Sequence, residues 1–385
     1  MINILFVDDD PDVLAGLRRV LRGWRDRWNM TFLADSRDAI DALSTSSFDV
    51  VVSDVRMPGI DGPSLLAEVR DHQPGAVRIV LSGNTLGSSQ RTFPVAHQFL
   101  SKPCDPARLE AAIDRSLTLR DRMASEELRE LVVGMDTLPS PSTTVLALQS
   151  ALASRPVDPD HVARLVSSDI AISTKVLQIA NSAFFGLPRT LSDPTEAIHY
   201  LGALSLGELV LSSEVFRSFS GRSRSLDGEI ERLQQCGMVR ADLAVALAQR
   251  AGRSSTVARD IWVPAFLADI GLLLLIATTP HQPASGWAPP ELDDSLLVMA
   301  PTIGAYLASM WGLPHYLVEG IALSNDRPAL HGCDAASFTW LARHLVPGGA
   351  DPSHITVADL EVLGLRAEDL AVVAGRLAAQ PTTAA

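Results

Sequence analysis

The sequence predicts two domains of different fold class: an α/β domain built on a five-stranded parallel sheet, followed by an all-α domain. At 385 residues the chain exceeds the usual size of one domain. Over the first third, short apolar runs alternate with amphipathic segments, which is typical of a doubly wound sheet. After about residue 138, nearly every apolar segment has helical spacing.

Five apolar runs are the predicted strands of the α/β domain, at residues 2–7, 30–34, 48–52, 77–81 and 97–101. Most are separated by amphipathic segments such as PDVLAGLRRVLRGW, with apolar residues at i, i+3, i+4 and i+7. The segment 84–96 contains Pro94 and few helix-forming residues, so we expect the fourth helix to be short or mobile. In such a sheet, ligands bind beyond the carboxyl ends of the strands.

Chemically active side chains follow the ends of four of these strands. They are Asp8, Asp9 and Asp10 after the first strand, Asp54 after the third, Ser82 at the end of the fourth and Lys102 at the end of the fifth. A cluster of carboxylates favours a hard cation such as Mg²⁺, and a carboxylate can itself accept a phosphoryl group. A lysine and a hydroxyl are suited to bind the phosphoryl oxygens.

The stretches ILFVDDDP, DVVVSDVRMPGIDG, IVLSG and FLSKP resemble the receiver domain of bacterial two-component response regulators, over about residues 1–120. The resemblance implies a flavodoxin-like fold with Asp54 as the phosphoacceptor. The implied Mg²⁺ ligands are Asp8, Asp9, Asp54 and the main-chain carbonyl of Arg56. Ser82 and Lys102 would contact the phosphoryl group, and Phe99 falls where the family keeps its aromatic switch residue. The alternative is an inactive scaffold whose acids cap helices.

Residues 107–133 contain neither Gly nor Pro and carry apolar residues among many charges. This pattern predicts that the last helix of the first domain continues outward as a helical connector, able to transmit a rotation or a dimer contact. A helix packed on its own domain is the alternative. The expected bounds are 1–120 for the receiver domain, 121–137 for the connector, 138–345 for the all-α domain and 346–385 for a helical tail.

Two stretches of the all-α part, 165–211 and 303–328, resemble the HDOD domain, a bacterial relative of the HD metal-dependent phosphohydrolases; ANSAFFG and LG are the matching elements. The resemblance implies an HD-superfamily fold that generally lacks the metal ligands. An active HD enzyme pairs a His with an Asp and adds histidines from other helices. Here only Asp269 of that set is present, and the expected histidine positions hold Ala268, Ala241, Ala300, Ser324 and Asn325.

Asp269 is the single acid in the apolar stretch WVPAFLADIGLLLLIA, residues 262–277. Burying an unpaired carboxylate costs several kcal/mol or more. The residue therefore binds a metal or a catalytic proton, or it is a structural remnant. We expect a remnant held on a buried helix by hydrogen bonds from another helix. The ligand-like cluster HGCD at 331–334 is interpreted as a loop with incidental side chains.

Composition limits the function further. The chain has 47% hydrophobic and 20% charged residues, and its formal net charge of −13 argues against a broad nucleic-acid surface. Three cysteines, Cys104, Cys236 and Cys333, show no paired spacing for disulfides or zinc. The N-terminus lacks a signal-peptide pattern, and the longest apolar run, IGLLLLIA, is shorter than the ~20 residues of a membrane span. We expect a soluble, cytoplasmic protein that does not bind a membrane.

The favoured interpretation is a phosphorylation-dependent response regulator whose HDOD domain is not an enzyme and acts through protein–protein contact. Its expected partners are a sensor histidine kinase or another phosphodonor, and an unidentified downstream signalling protein. Homodimer formation is left open. The alternatives are a cyclic-dinucleotide or nucleotide phosphohydrolase, a nucleotide-binding sensor that uses the pocket near Asp269, and a transcription factor.

Overall fold

The computed structural model describes residues 1–83, 95–121, 126–135, 138–182, 189–203, 224–278, 294–328, 333–346 and 352–378, together with residues 185, 187, 205, 207 and 210. Several sequence predictions fall wholly or partly outside these residues. They are the short helix of 84–96, the connector of 121–137, the ANSAFFG and HGCD stretches, the tail of 346–385, and residues 205–218, whose apolar spacing also predicts a helix.

The first domain contains the predicted five-stranded parallel sheet. The strands are β1 Ile2–Val7, β2 Trp28–Leu33, β3 Val50–Asp54, β4 Val77–Ser82 and β5 Gln98–Ser101. Their order is β2-β1-β3-β4-β5, and every neighbouring pair is parallel. The α/β fold class is therefore confirmed. Strand β5 lies at an edge and pairs with β4 alone.

Four helices connect or follow these strands: α1 Pro11–Val20, α2 Ser36–Thr45, α3 Gly62–His72 and α4 Pro106–Asp121. A 3₁₀ helix, Leu21–Trp24, follows α1. The side chain of Asp10 accepts a hydrogen bond from the Asp12 amide and begins α1, and Asp61 begins α3 in the same way. Such caps satisfy amides that the helix itself leaves unpaired. The third acid after β1 is thus used as a helix cap.

The next helix, α5 Glu126–Val133, contacts both the first domain and the helix Asp294–Met310 of the helical part. Val132 and Val133 are fully buried, and the Val133 carbonyl oxygen lies 3.0 Å from Nε2 of His97, just before β5. Because α5 contacts both parts of the chain, the choice between a connector and a helix packed on its own domain stays a prediction. Residues 122–125 lie outside the described part of the chain, so a continuous connector from α4 to α5 stays a prediction.

The remainder is helical, as predicted. Its helices are α6 Ser142–Ala153, α7 Pro159–Ser167, α8 Ile170–Ala180, α9 Pro194–Leu201, α10 Arg224–Arg250, α11 Ser255–Leu267, α12 Ile270–Thr278, α13 Asp294–Met310, α14 His315–Ala322, α15 Asp334–Leu345, α16 Val357–Leu363 and α17 Ala367–Ala378. A 3₁₀ helix, Pro352–His354, precedes α16. The helical spacing of residues 257–277 predicts one helix, but the structure has two, α11 and α12, separated by Ala268 and Asp269.

Helices α11 and α12 form the centre of this domain. The stretch Ser255–Thr278 has 24 residues, and its length and apolar composition alone would allow it to cross a membrane. This stretch is longer than the eight-residue run IGLLLLIA, which by itself is too short for a membrane span. Within its apolar window, 83% of the residues are buried inside the protein, as in the core helix of a folded domain.

Close backbone contact joins α12 to α13. Gly271 lies so near α13 that a Cβ atom there would stand 1.9 Å from the carbonyl oxygen of Ala300. Gly304 of α13 faces Gly271. A Cβ atom added to Gly304 would lie 2.8 Å from the main-chain nitrogen of Gly271. These two glycines allow the helices to cross at a distance that larger residues would prevent.

The two domains share a continuous apolar core. Leu109 and Ile113 of α4 belong to the same buried cluster as Ile303 and Met310 of α13. Helix α13 therefore packs against the face of the sheet domain that α4 and β5 form. The domain bounds predicted from sequence stay a prediction, because this shared core does not mark where one domain ends.

Candidate functional site

Three charged residues from three strand ends meet at the carboxyl edge of the sheet. The Lys102 ammonium lies 2.6 Å from Oδ2 of Asp8 and also pairs with Oδ1 of Asp54. Asp8 is 1% exposed and Asp54 is 8% exposed, whereas the Lys102 side chain is partly open to solvent. The cation therefore bridges two buried carboxylates that would otherwise repel each other.

The register of the parallel strands explains this meeting. Val7 of β1 pairs with Ser53 of β3, so Asp8 and Asp54 follow side by side. Across β4, Ser82 pairs with Ser101, and the Lys102 amide donates a 2.8 Å hydrogen bond to the Ser82 carbonyl. Neighbouring parallel strands end at the same edge, which is why residues far apart in sequence converge there.

The loop after β3 wraps closely around Asp54. The amide of Arg56 donates a 2.8 Å hydrogen bond to Oδ2 of Asp54, which fixes the direction of the carboxylate. At the start of α3, a Cβ on Gly62 would lie 1.9 Å from the Asp54 carbonyl oxygen. The Gly62 amide bonds the Val55 carbonyl at 3.0 Å. Only glycine fits position 62 without moving the backbone of Asp54.

Ser82 supplies a hydroxyl at the same edge. Its side chain is 1% exposed, and its oxygen has no hydrogen-bond partner among the residues that the structure describes. A buried hydroxyl without a partner is unfavourable by about 1–3 kcal/mol. A ligand oxygen bound here would remove that penalty.

Lys102 alone does not neutralise the negative charge of the two carboxylates. Burial raises the pKa of Asp8 above its usual value, although the hydrogen bond and charge of Lys102 partly oppose this effect. Burial lowers the pKa of Lys102, but its bonds to Asp54 and Asp8 outweigh burial and raise the pKa overall. Lys102 is therefore held protonated. Its single positive charge faces two carboxylates, so a further cation at this site would be attracted.

These features fit Mg²⁺, which prefers carboxylate and carbonyl oxygens. Asp8 and Asp54 are brought together, whereas Asp9 is exposed beside them. In the described part of the chain, no three His, Cys, Asp or Glu side chains form a group able to hold a metal. The predicted ligand set of Asp8, Asp9, Asp54 and the Arg56 carbonyl therefore stays a prediction.

Phe99 lies on β5 and is buried. It lines a cavity of about 560 Å³ between the two domains, together with Leu100 and Ser101 of β5 and Trp311 and Leu313 of the helical domain. The predicted switch residue is thus placed at the domain boundary.

A second charged cluster surrounds Asp269. This residue lies in the turn between α11 and α12, not inside a helix as expected, and it is 5% exposed. Its Oδ2 accepts a 2.5 Å hydrogen bond from Nη1 of Arg240 on α10, and its Oδ1 accepts a 3.0 Å bond from Nη2 of Arg343 on α15. Arg240 also donates through Nε to the Ala265 carbonyl at 2.9 Å.

The two arginines set the charge state of Asp269. Burial raises the pKa of this carboxyl, but the charges of Arg240 and Arg343 outweigh burial and lower the pKa below its usual value. The expectation of hydrogen bonds from one other helix is therefore corrected: two helices hold Asp269 by ion pairs. Sequence reasoning missed both arginines, although each lies in a largely apolar helical segment, VRADLAVALAQ or TWLARHL.

Part of the HGCD stretch is also paired. Asp334 at the start of α15 accepts two hydrogen bonds from Arg253, at 2.8 and 2.9 Å. Residues 331 and 332 lie outside the described residues, so the interpretation of this loop as incidental stays a prediction.

Comparison with protein families divides the chain in the same two parts. A family model described as the response regulator receiver domain matches residues 4–114. A second model, described as the HDOD domain, matches residues 138–327. The two matches cover the acidic edge of the sheet and the helical core around Asp269.

Individual curated relatives match part of the chain. The transcriptional regulatory protein GlrR of Escherichia coli (strain K12) is 30% identical over 218 residues, 56% of this chain and 45% of that protein. The chain spans less than half the length of the curated relatives that it matches first.

Two solved structures align with parts of the fold. The response regulator MmoQ of Methylococcus capsulatus str. Bath covers 62% of this chain and 98% of its own, at 20% identity and a TM-score of 0.45. The signal receiver domain of an HD domain-containing protein from Pseudomonas fluorescens Pf-5 covers 30% of this chain and 94% of its own, at 29% identity and a TM-score of 0.29.

Proposed function

Because the chain belongs to the response regulators of two-component signalling and joins a receiver domain to an HDOD domain, we propose that phosphorylation of Asp54 controls a non-catalytic HDOD output. The observation that carries the proposal is the buried meeting of Asp54, Asp8 and Lys102 at the strand ends. The phosphodonor is a sensor histidine kinase or a small acyl phosphate. The output is contact with a downstream signalling protein.

The chemistry follows from the side chains at this edge. An oxygen of the Asp54 carboxylate attacks the phosphorus of the donor, a new P–O bond forms, and the donor leaves with the electrons of its old bond to phosphorus. Lys102 offers its charge to the transferred phosphoryl oxygens, and Ser82 offers a hydroxyl that has no hydrogen-bond partner among the described residues. Bound Mg²⁺, held by Asp8, Asp9, Asp54 and the Arg56 carbonyl, would supply further neutralisation of charge.

A non-catalytic HDOD domain is supported by the surroundings of Asp269. Both of its carboxylate oxygens accept hydrogen bonds from guanidinium groups, Arg240 on one side and Arg343 on the other. A carboxylate paired in this way is a poor metal ligand, because a metal must displace buried cations and meet their repulsion. This pairing favours the protein-contact proposal over the phosphohydrolase.

Labelling with a small phosphodonor tests the phosphorylation step. In the presence of Mg²⁺, the wild-type chain should gain one phosphoryl group with the base lability of an acyl phosphate, and Asp54→Asn should gain none. Equal labelling of the two proteins would contradict the assignment of Asp54.

Metal content tests the proposal that the HDOD domain is non-catalytic. Purified wild-type protein, washed free of Mg²⁺, should contain no stoichiometric transition metal and should not hydrolyse cyclic dinucleotides or nucleotides. A stoichiometric metal that is lost in Asp269→Asn, together with turnover of a nucleotide, would instead support the phosphohydrolase.

A further inference from the structure

Strand β5 is the element that the acidic edge and the helical domain share. It has only four residues, Gln98–Ser101, and pairs with β4 on one side of the sheet edge. Lys102 directly follows its carboxyl end and holds Asp54 and Asp8. At ~3.3 Å per residue, its amino end is only about 13 Å away. A displacement at one end is therefore transmitted readily to the other.

Gln98 ties the amino end of β5 to the helical domain. Its Nε2 donates a 3.0 Å hydrogen bond to the carbonyl of Ser309 on α13 and lies 3.3 Å from the hydroxyl of Ser116 on α4. The side chain is 4% exposed. It packs against Gly312, where an added Cβ would lie 3.6 Å from the Gln98 Cγ. This amide therefore crosses the domain boundary largely shielded from solvent.

Gln178, from the helical domain, donates a hydrogen bond to the chain at the same end of β5. It belongs to α8, is 3% exposed, and its Nε2 donates a 3.0 Å hydrogen bond to the carbonyl of His97, the residue before β5. One glutamine is thus supplied by each domain, and each donates to a main-chain carbonyl of the other. We call Gln98 and Gln178 together the glutamine latch.

A cleft open to solvent lies beside the latch. Its volume is about 560 Å³, and it is lined by Phe99, Leu100 and Ser101 of β5 and by both glutamines of the latch. The open space gives the side chains of β5 on this side room to shift.

From these contacts we infer that phosphorylation of Asp54 releases the glutamine latch. This inference rests on the proposed function. The phosphoryl group competes for Lys102, which now bridges Asp8 and Asp54, and draws Lys102 and Ser82 toward itself. Because Lys102 continues directly from β5, the strand shifts, and the hydrogen bonds of Gln98 and Gln178 lengthen. The faces of α8 and α13 that meet β5 become accessible to a downstream protein.

The size of the effect follows from the number of bonds. A typical buried hydrogen bond changes a two-state equilibrium about fivefold. Removing either glutamine amide should thus favour the open boundary about fivefold, and removing both should favour it roughly 25-fold if the two act independently.

Hydrogen–deuterium exchange of the intact 385-residue chain measures this opening. The peptides that cover β5 and α13 are followed in wild type, Gln98→Ala, Gln178→Ala and the double variant, each with and without acetyl phosphate and Mg²⁺. Intact mass of the same samples reports the phosphoryl group. Gln73→Ala is the matched control, because Gln73 bonds the carbonyls of Leu43 and Ser46 inside the sheet domain.

Without phosphodonor, the single variants should exchange in both peptides about fivefold faster than wild type, and the double variant roughly 25-fold faster. Gln73→Ala should leave these two peptides unchanged. Phosphorylated wild type should approach the double variant. Wild-type exchange rates in the double variant, or slow exchange in wild type that carries the phosphoryl group, would overturn the inference.

Gln178→Glu separates the loss of this hydrogen bond from a general loss of stability. It keeps the size of the side chain but places a carboxylate against the His97 carbonyl, so it should open the boundary more than Gln178→Ala. Equal or slower exchange than Gln178→Ala would overturn the latch. If no phosphoryl group is incorporated, the proposed function fails, and the variants without phosphodonor still decide whether the latch holds the domains together.

Discussion

Replacing Asp269 with Asn is expected to destabilise the helical domain strongly. Both carboxylate oxygens accept hydrogen bonds from guanidinium groups, and Arg240, like Asp269, is almost completely buried. Asn can offer only one oxygen, so its NH₂ group must face a guanidinium donor. The two arginines then keep their charges without a buried counter-charge.

The expected loss in the free energy of unfolding is about 3–5 kcal/mol, the usual effect of breaking a buried ion pair by removing one partner. A neutral hydrogen bond alone would account for only about 1 kcal/mol. Asp334→Asn is the matched control, because its pair with Arg253 is partly exposed, with side chains 37% and 31% accessible. That variant should lose no more than about 1 kcal/mol.

Urea unfolding, followed by far-UV circular dichroism at pH 7, measures both variants. The pH dependence adds a second check. Because the pKa of Asp269 is lowered in the folded protein, its contribution is complete above the ordinary carboxyl pKa of about 4 and is lost as the pH falls through the folded value. The difference between wild type and Asp269→Asn should shrink in that acidic range. A loss at pH 7 no larger than that of Asp334→Asn would refute the ion-pair explanation.

Two further predictions concern glycines that allow close backbone contact. Gly62→Ala should displace the backbone of Asp54, because its Cβ would meet the Asp54 carbonyl, and phosphodonor labelling should fall sharply while the helical domain keeps its melting temperature. Gly271→Ala should destabilise the helical domain by at least ~1–3 kcal/mol through its clash with Ala300. Gly228→Ala is the control, because it lies in α10 with nothing near its Cβ position, and it should raise the free energy of unfolding by about 0.5–1 kcal/mol. Equal changes in stability for Gly271→Ala and Gly228→Ala would contradict the close crossing of α12 and α13.

The sheet and its acidic edge could be predicted because they depend on local patterns and one general rule. Apolar runs of four to six residues define the strands, and parallel strands place their carboxyl ends at one edge. Asp8, Asp54 and Lys102 follow from these two facts without any distance being known. Asp10 was assigned to the acidic cluster by sequence alone, but its side chain caps α1, a role that short polar residues commonly have at a helix start.

The partners of Asp269 and the domain boundary could not be predicted, because they depend on tertiary contacts between distant residues. Gln98 and Ser309 are 211 positions apart, and Gln178 and His97 are 81 apart. No local periodicity records such pairs. The break between α11 and α12 was missed for a related reason, since an apolar run without Gly or Pro at the break reads as one helix until packing is known.

The most direct test of phosphorylation-dependent output compares the proteins that bind the 385-residue chain in four samples: wild type and Asp54→Asn, each with and without acetyl phosphate and Mg²⁺. Bound proteins are quantified by mass spectrometry, and the phosphoryl group is measured in the same samples. The proposal predicts at least one partner whose bound amount changes with phosphodonor in wild type and stays constant in Asp54→Asn. The same partners in the same amounts in all four samples, with wild type fully phosphorylated, would contradict it.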